Sequence, residues 1–358
     1  MNAKQLGILL VVALALGAAV FRWNSQNSAG WSGSGRLPGQ ELLGTFQVND
    51  VAQVVISRGA DKVTLAKTGD RWVVAERAGF PVSFSDLKSL LLKLQGLKVV
   101  QTDDISDSQL ARLQLAGPDA GTNAATVLEL RDVAGKVLRS VLLGKKHLQT
   151  PADGSEGWPD GRYVMAEAGS GHVQVVADAL SEVEPAAANW VDKDFVKPDH
   201  VISLTVNFPA GTNSWSLTRT NDTADWQLVS PAKGEKLDSS KLSDLAQPLS
   251  GLSLADVLTN ATAGQNPVTL EAKTLDGFDY VFTVGTKTND NYPVRFTLSA
   301  ALSTNTLAVG ETWDSAKDKL AHDAALTNWA YLVPSWNLDS VLKGRADWLV
   351  VVTNTGAK

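Results

Sequence analysis

The chain has 358 residues, of which 44% are hydrophobic and 20% charged, a composition that excludes a disordered chain and suffices for two globular domains. Its formal net charge at pH 7 is −6 and no segment concentrates basic residues, which argues against nucleic acid or an anionic membrane surface as the main partner. The sequence contains no cysteine, which excludes disulfides, thiolate metal sites and a cysteine nucleophile.

The amino-terminal stretch predicts where the protein works. Residues 6–20, LGILLVVALALGAAV, are uncharged and mostly apolar; Lys4 precedes them, and the sequence FRW follows at residues 21–23. Such a run matches the shortest helices that cross a hydrocarbon core of ~30 Å, with Arg and Trp suited to the headgroup layer. We predict a transmembrane anchor in residues 1–23 that contacts the bilayer through residues 5–23. A cleaved signal peptide is the alternative, and in either case the rest of the chain is expected outside the cytoplasm, in the periplasm of a bacterium whose inner membrane holds the anchor.

The next segment, residues 24–43, predicts a flexible stalk. It begins NSQNSAGWSGSGRLPG, which is rich in Ser, Gly and Asn and has no apolar periodicity. Such a composition is typical of linkers without a packed core. The stalk is expected to hold the folded part away from the membrane.

Beyond the stalk, one order of features occurs twice. In each copy, short apolar strand patterns precede a helical pattern, SFSDLKSLLLKLQGL from residue 83 and DSSKLSDLAQPLSGL from residue 238. The positions that correspond at a constant offset of 155 residues are Leu87 with Leu242, Leu90 with Leu245, Leu94 with Leu249, Gly96 with Gly251 and Leu97 with Leu252. A repeat of this length indicates a duplicated domain, not a solenoid.

The correspondence continues downstream at smaller offsets. Gly144 maps to Gly285, and the pair Asn189-Trp190 maps to Asn328-Trp329. From Gly96 to Glu129 the first copy has 33 positions against 20 in the second, so it holds 13 extra residues, about the length of a short helix in SDSQLARLQLAG. We therefore predict a first module over residues 44–192, a second over 193–335, and a carboxy-terminal strand within 336–358, in ADWLVVVTN, that packs on the second module.

The patterns predict the α+β class, with each module a mainly antiparallel β-sheet that carries a short amphipathic helix. Leu87, Leu90, Leu91 and Leu94 have the spacing of one buried helix face. Alternating apolar residues flank short turns at Gly135 and Gly277, which predicts two β-hairpins. In the second copy, Pro248 is expected to bend or shorten the last helical turn.

This order of features resembles the bacterial family catalogued as domain of unknown function 4340. The similar features are the apolar amino end, a Trp strand before a Leu-rich helix, LQLAGP before TVLEL, a strand ending in LLG, RYV at residues 162–164, and an NWVDKD stretch. The resemblance implies an envelope protein associated with ABC-type transport and with systems related to gliding motility. It therefore implies a partner in a membrane complex.

The sequence contains no recognisable catalytic or cofactor motif. Its four histidines do not have the HExxH or HxH spacing of a metal site, and neither G-x-S-x-G nor a P-loop occurs. We interpret the acidic stretch WVDKDFVKPDH as a solvated linker and DGSEGWPDGR as the loop of a hairpin, and neither as a calcium site. We therefore assign no catalytic, cofactor, nucleotide or metal residue, although a carboxylate pair for glycoside hydrolysis stays open because its separation is not readable from sequence.

Tryptophan is unusually frequent in this protein, at 11 of 358 residues. Four tryptophans recur in both copies and are predicted to be structural core: Trp72 with Trp226, and Trp190 with Trp329. Trp158 and Trp313 are predicted to lie in polar loops, have no such counterpart and are the predicted contact surface.

These observations lead to three hypotheses. The first is a non-enzymatic binding or scaffold protein, an accessory component of an ABC-type transport or envelope complex. The second is a glycan-binding or glycan-processing envelope protein, which should bring carboxylates together beside Trp158 or Trp313. The third is a structural spacer, which should lack an exposed apolar patch. Partner, oligomeric state and ligand are left open.

Overall fold

The computed structural model of this protein describes most of the chain beyond the stalk. The described residues are 37–149, 157–166, 170, 172–259, 266–305, 307–308 and 310–350. The predicted anchor and most of the predicted stalk lie outside them. Within the described ranges, no helix has both the length and the apolar character of a membrane span.

Two antiparallel β-sheets dominate the fold, as predicted for the α+β class. The strands of the first sheet are β1 (Gln53–Arg58), β2 (Asp61–Thr68), β3 (Arg71–Val74), β4 (Phe80–Pro81), β5 (Val99–Asp104), β6 (Thr126–Arg131), β7 (Val137–Gln149), β8 (Trp158–Met165) and β9 (His172–Val176). The strands of the second sheet are β10 (Val201–Asn207), β11 (Trp215–Thr218), β12 (Gln227–Leu228), β13 (Asp256–Leu258), β14 (Val268–Thr274), β15 (Phe278–Val284), β16 (Asn291–Ala300) and β17 (Ala330–Pro334).

The strand order of the two sheets is the same. It is β4-β3-β2-β1-β6-β7-β8-β9-β5 in the first sheet and β12-β11-β10-β14-β15-β16-β17-β13 in the second, and the first differs only by the additional edge strand β4. An identical order across eight strands agrees with the duplication that the sequence repeat indicates.

The helices of the described ranges are few and short. The α-helices are α1 (Phe84–Gly96), α2 (Asp107–Leu110) and α3 (Trp313–Leu326). The 3₁₀ helices are Val48–Asp50, Ala75–Arg77, Ala111–Leu113, Gly121–Asn123, Ala187–Asn189, Ser239–Leu245, Ser335–Asn337 and Arg345–Trp348. The short helix predicted in the 13-residue insertion is α2 with the 3₁₀ turn that follows it.

Both predicted hairpins are confirmed. β6 pairs with β7 and β14 pairs with β15, each antiparallel. Gly135 and Gly277 adopt φ of +81° and +91°, the left-handed region that favours glycine in tight turns. At Gly277 a side chain would also collide with the chain, because a Cβ would lie 2.4 Å from the carbonyl oxygen of Ala301.

Helix α1 buries the predicted leucine face. Leu87, Leu90, Leu91 and Leu94 are each at most 5% exposed. At its amino end, the Oγ of Ser83 donates a hydrogen bond of 2.6 Å to Asp86, and the amide of Leu87 donates to the carbonyl of Ser83. Burial of these four side chains stabilises the helix far more than its intrinsic propensity does.

The prediction of an equivalent α-helix in the second module is wrong. The corresponding residues form the 3₁₀ helix Ser239–Leu245, which ends before Pro248. Proline lacks the amide hydrogen that the last α-helical turn needs and disfavours the helical conformation of the residue before it. Leu249 then takes a left-handed φ of +67° while its side chain stays buried.

Helix α3 was not expected from the sequence pattern. Its buried positions are Ala316, Asp323 and Leu326, so they do not form a continuous apolar stripe. Thr312 caps its amino end, because the Ser315 amide donates to the Thr312 Oγ1 at 3.1 Å. The helix therefore depends on its cap and on a polar contact, since the Tyr280 hydroxyl donates a 2.6 Å hydrogen bond to Asp323.

The described chain divides into two compact units. Unit 1 comprises the residues up to Val51, Ser57–Ala60 and Leu91–Val183, and unit 2 comprises Ala52–Ile56, Asp61–Leu90 and the residues from Glu184 onward. A core cluster of unit 1 contains Leu115, Ala125, Met165 and Val173. The core of unit 2 is aromatic and includes Phe195, Phe282, Phe296 and Tyr331. The module boundaries proposed from the repeat stay a prediction.

The structure corrects one part of the repeat. Trp190 corresponds to Trp348, not to Trp329, because both Trp190 and Trp348 are 1% exposed and make the same backbone contacts within unit 2. The matching hydrogen bonds are Ser83 N to Trp190 O (2.9 Å) with Asp238 N to Trp348 O (2.9 Å), and Asp192 N to Pro81 O (2.9 Å) with Val350 N to Lys236 O (3.0 Å). The isolated bridges Val82–Val191 and Leu237–Leu349 also match.

This equivalence changes the interpretation of the carboxy-terminal segment. Of the described residues in the predicted strand, residues 346–348 belong to the 3₁₀ helix Arg345–Trp348 and Leu349 forms an isolated bridge. The segment ADWL corresponds to ANWV of the first copy, which pairs in the same way with the segment that precedes helix α1. The rest of the predicted strand, residues 351–354, lies outside the described part, so the strand and its packing on the second module stay a prediction.

Candidate functional site

The four tryptophans predicted as structural core differ in burial. Trp190 and Trp226 are buried, at 1% and 7% exposure, whereas Trp72 and Trp329 are half-buried. The Trp226 indole donates to the carbonyl of Leu245 at 2.9 Å, and the Trp329 indole donates to that of Ala78 at 3.2 Å. Trp226 and Trp329 therefore each contribute a hydrogen bond in addition to the packing of the ring.

The two tryptophans predicted as a contact surface are exposed. Trp158 is 54% and Trp313 is 40% accessible to solvent. Neither lies in a loop, since Trp158 begins β8 opposite Gln149 and Trp313 begins α3. A third tryptophan, Trp336, is more exposed at 69% and was not singled out from the sequence.

Each histidine contacts an aspartate. The Nδ1 atoms of His147, His200 and His322 lie 2.6, 2.7 and 2.8 Å from a carboxylate oxygen, and His172 contacts Asp104 in the same way. The partners of the first three are Asp160, Asp222 and Asp323. The hydrogen bond from His200 is the main cause that lowers the pKa of Asp222.

The acidic linker between the two sheets is paired with basic groups. Asp194 lies 3.7 Å from Lys197 and 3.4 Å from His322, and Asp199 lies 4.0 Å from Lys319. Within the described residues, no three His, Cys, Asp or Glu side chains are grouped as a metal ion would require.

A cavity of about 440 Å³ in unit 1 concentrates positive charge. We call it the basic cavity; its polar lining residues are Gln109, Arg112, Lys145, Lys146, His147 and Tyr163. Ile105, Leu113 and Leu148 supply an apolar wall. These residues come from the insertion α2 with its 3₁₀ turn, from β7 and from β8.

The strand side of the basic cavity is shaped by irregular pairing of β7 with β8. The register shifts between Leu143 and Lys146 and again between His147 and Leu148. In a regular strand, consecutive side chains point to opposite faces, whereas an extra residue in one strand re-aims its neighbours. The shift explains how the adjacent Lys145 and Lys146 both line the cavity.

The opposite side of the basic cavity is the inserted helical segment. Ser106 and Gln109 form a capping box at the start of α2, and Leu110 and Leu113 pack against the core cluster of unit 1. Gly144 permits the close approach of this segment to β7, because a Cβ at Gly144 would lie 2.4 Å from the carbonyl oxygen of Leu113. Apolar packing thus holds the inserted segment against β7, and the absence of a side chain at Gly144 allows their close approach.

Among the residues that the structure describes, no carboxylate forms an ion pair with Arg112, Lys145 or Lys146. Asp160 contacts His147 instead, and the ring of His147 lies 5.6 Å from that of Tyr163. In a protein of net negative charge, this unbalanced cluster makes an anion the favoured occupant.

At the corresponding place in the second module, the described residues form no such cluster. After Gly285, the counterpart of Gly144, the chain continues Thr286-Lys287-Thr288, and Lys287 is paired with Asp339 at 3.3 Å. The inserted helical segment also belongs to the first copy alone. Sequence reasoning missed the basic cavity, although the insertion and the KKH sequence after Gly144 were the two signals that differ between the copies.

A second cavity, of about 580 Å³, lies in unit 2 and carries charges of both signs. Arg219, Asp222 and Asp225 line it together with Trp226. Arg219 is 6% exposed, donates to the carbonyl of Val201 at 2.7 Å and places its guanidinium 4.3 Å from the Trp226 ring centroid. Burial lowers the pKa of Arg219. These contacts indicate a packing role for the arginine.

Comparison with known families gives one match. Residues 72–276, more than half of the chain, match the model of a family described as domain of unknown function (DUF4340). No curated protein and no solved structure matches this chain.

Proposed function

This chain belongs to the DUF4340 family, and we propose that it is a membrane-anchored binding or scaffold protein that acts outside the cytoplasm. In this proposal the apolar amino end holds it in the bacterial inner membrane. The folded part docks onto a membrane complex, as an accessory component of an ABC-type transport or envelope system.

The observation that carries the proposal is the exposure of two large apolar side chains at the turn end of the β7–β8 hairpin. Leu148 and Trp158 are 47% and 54% exposed there, and Leu148 also lines the basic cavity. Tryptophan is enriched among the residues that dominate the binding energy of protein interfaces. A large aromatic side chain loses little entropy when a partner covers it, which favours its use in recognition.

The arrangement around Trp158 favours binding over glycan hydrolysis. A glycosidase needs two carboxyl groups about 5 to 10 Å apart flanking the scissile bond. The basic cavity next to Leu148 instead presents Lys145, Lys146 and Arg112. No carboxylate is among the described residues that line this cavity, which supports binding over that reaction.

Site-specific photocrosslinking in cells that contain the native partners tests the proposal. The crosslinkable residue p-benzoylphenylalanine replaces Trp158 in one variant and Val133 in the matched control, which lies 94% exposed in the β6–β7 turn. We expect a crosslink from position 158, and none from position 133, to an integral membrane subunit of a transport or envelope complex. Equal crosslinking from both positions, or none from position 158, would contradict the proposal.

A further inference from the structure

We propose that the basic cavity binds the phosphate monoester group of a small ligand. This site is distinct from partner docking and does not depend on the proposed scaffold function, because phosphate could bind there in the isolated protein. The proposal rests on the charge, size and lining of the cavity and on its occurrence, among the described residues, in the first module and not at the matching place in the second.

The charge of the cavity fits phosphate better than a carboxylate. Arg112, Lys145 and Lys146 provide three positive charges, and they form no ion pair with another described residue. A carboxylate would neutralise only one of them, whereas a phosphate monoester carries about −1.5 to −2 charge at pH 7 and three strong acceptor oxygens. Arginine matches two of those oxygens with its planar fork, and each lysine acts as a point charge.

The size and the lining of the cavity indicate that the ligand has a carbon skeleton. A volume of about 440 Å³ leaves room beyond a phosphate group, and it lies within the range of small-molecule sites. Ile105, Leu113 and Leu148 offer apolar contacts to such a skeleton. Gln109 and Tyr163 add polar groups that suit hydroxyl substituents, so a phosphorylated polyol or a phosphorylated glycerolipid head matches the lining.

The construction of the site also sets it apart from scattered surface lysines. Two cations come from the irregular part of β7 and the third from the inserted 3₁₀ turn, and Gly144 lets these two elements meet. In the second module Lys287 takes an aspartate partner instead. Among the described residues, the cation cluster therefore occurs in the module that carries the extra helical segment.

Calorimetric titration of the full-length protein in detergent tests the site. The probe is glycerol 3-phosphate, with glycerol as the uncharged reference. We expect binding of glycerol 3-phosphate alone, weakened at least about tenfold by Arg112→Ala and further by the pair Lys145→Ala and Lys146→Ala, because each removes a charged hydrogen-bond donor. Higher salt should weaken the binding as well.

A matched control separates the site from general charge. Lys136→Ala removes an exposed lysine in the turn that precedes the same strand, β7, and should leave the affinity unchanged. Gly144→Ala should weaken binding without removing any charge, since it displaces Leu113 and the turn that carries Arg112. Circular dichroism and thermal melting of each variant show whether the fold is retained; the lysine and arginine variants, being at the surface, are expected to keep it.

A second set of titrations, with short-chain lipids, identifies the class of molecule that supplies the phosphate. Dihexanoyl phosphatidic acid carries a phosphate monoester on a lipid, and dihexanoyl phosphatidylcholine is its counterpart without a free monoester. Stronger binding of the phosphatidic acid than of glycerol 3-phosphate assigns a lipid head, and the reverse order assigns a soluble ester; both results support the site.

Three results would overturn the proposal. They are no binding of either phosphate monoester, equal binding of the phosphatidylcholine, and retention of full affinity after loss of Lys145 and Lys146. None of these results affects the crosslinking expected from position 158, so failure of the phosphate site and failure of the scaffold function are distinguishable.

Discussion

A bidentate charged pair links the carboxy-terminal segment to the second module. The guanidinium of Arg345 donates to both carboxylate oxygens of Glu235, at 3.1 and 2.7 Å. These hydrogen bonds, together with one from the amide of Ala232, lower the pKa of Glu235 from 4.5 to about 2. Bidentate geometry makes this pair more specific than most surface ion pairs.

The lowered pKa predicts a contribution to stability that disappears in acid. Because the pKa of Glu235 is lower in the folded chain than in the unfolded chain, the contribution is complete above pH 4.5 and is lost as the pH falls toward about 2. We expect the melting temperature of the wild type to fall more steeply across this range than that of Glu235→Gln, measured by circular dichroism at a series of pH values. Parallel curves for the two proteins would show that the pair adds nothing to stability.

At the scale of elements, the most informative comparison is between ANWV in the first copy and ADWL in the second. Both tryptophans sit at the end of a 3₁₀ turn, and the residue after each bridges to the segment that precedes the helix of its own copy. Trp348 packs edge-on against Trp215 with ring centroids 5.6 Å apart. The described part of the carboxy-terminal segment, up to Val350, therefore closes the second module in the way that ANWV closes the first.

This role predicts a large loss of stability from Trp348→Ala. The side chain is 1% exposed, and removal of a buried tryptophan typically costs about 3 to 5 kcal/mol in the free energy of unfolding. Trp336→Ala is the matched control, because Trp336 is 69% exposed and its loss should cost less than about 0.5 kcal/mol. Urea denaturation of both variants measures the difference; similar losses would mean that Trp348 does not close the module.

The element scale also explains why the two copies differ in their helices. Leucine spacing alone predicts a helix in both, and it is correct for α1, where four leucines are buried. In the second copy Pro248 and the left-handed Leu249 convert the same spacing into a 3₁₀ helix and a turn. Hydrophobic periodicity thus reports which residues are buried more reliably than which kind of helix carries them.

At the scale of the whole molecule, the proposed function requires that the folded part lies outside the cytoplasm. Residues 6–20 form an apolar run between a basic amino end and FRW, an arrangement that suits an anchor whose carboxy-terminal side is exported. We expect protease added to intact spheroplasts to degrade the protein beyond residue 37, and the protein to remain in the membrane fraction after carbonate extraction. A cytoplasmic protein serves as the protection control. Protection of the chain in intact spheroplasts would reverse the topology and contradict the proposed function.

Much of the architecture was readable from local pattern. The hairpins at Gly135 and Gly277, the buried face of α1, the helix in the insertion and the duplicated order of strands all follow from periodicity and turn residues, which depend on neighbours along the chain. Of the four tryptophans that the repeat predicts as core, Trp190 and Trp226 are buried and Trp72 and Trp329 are half-buried, while Trp158 and Trp313 are exposed.

Sequence patterns do not predict which distant segments of the chain come into contact. Arg112 reaches Lys145 and Lys146 because a bulged strand and a glycine let the insertion settle on β7, and neither feature has a periodic signal. Trp190 matches Trp348 through long-range backbone hydrogen bonds, whereas the nearer match with Trp329 rested on residue identity alone. Local propensity depends on residues that are neighbours in the sequence. A binding cavity arises instead from contacts between segments that are far apart in the sequence, so only the folded chain assembles the basic cavity.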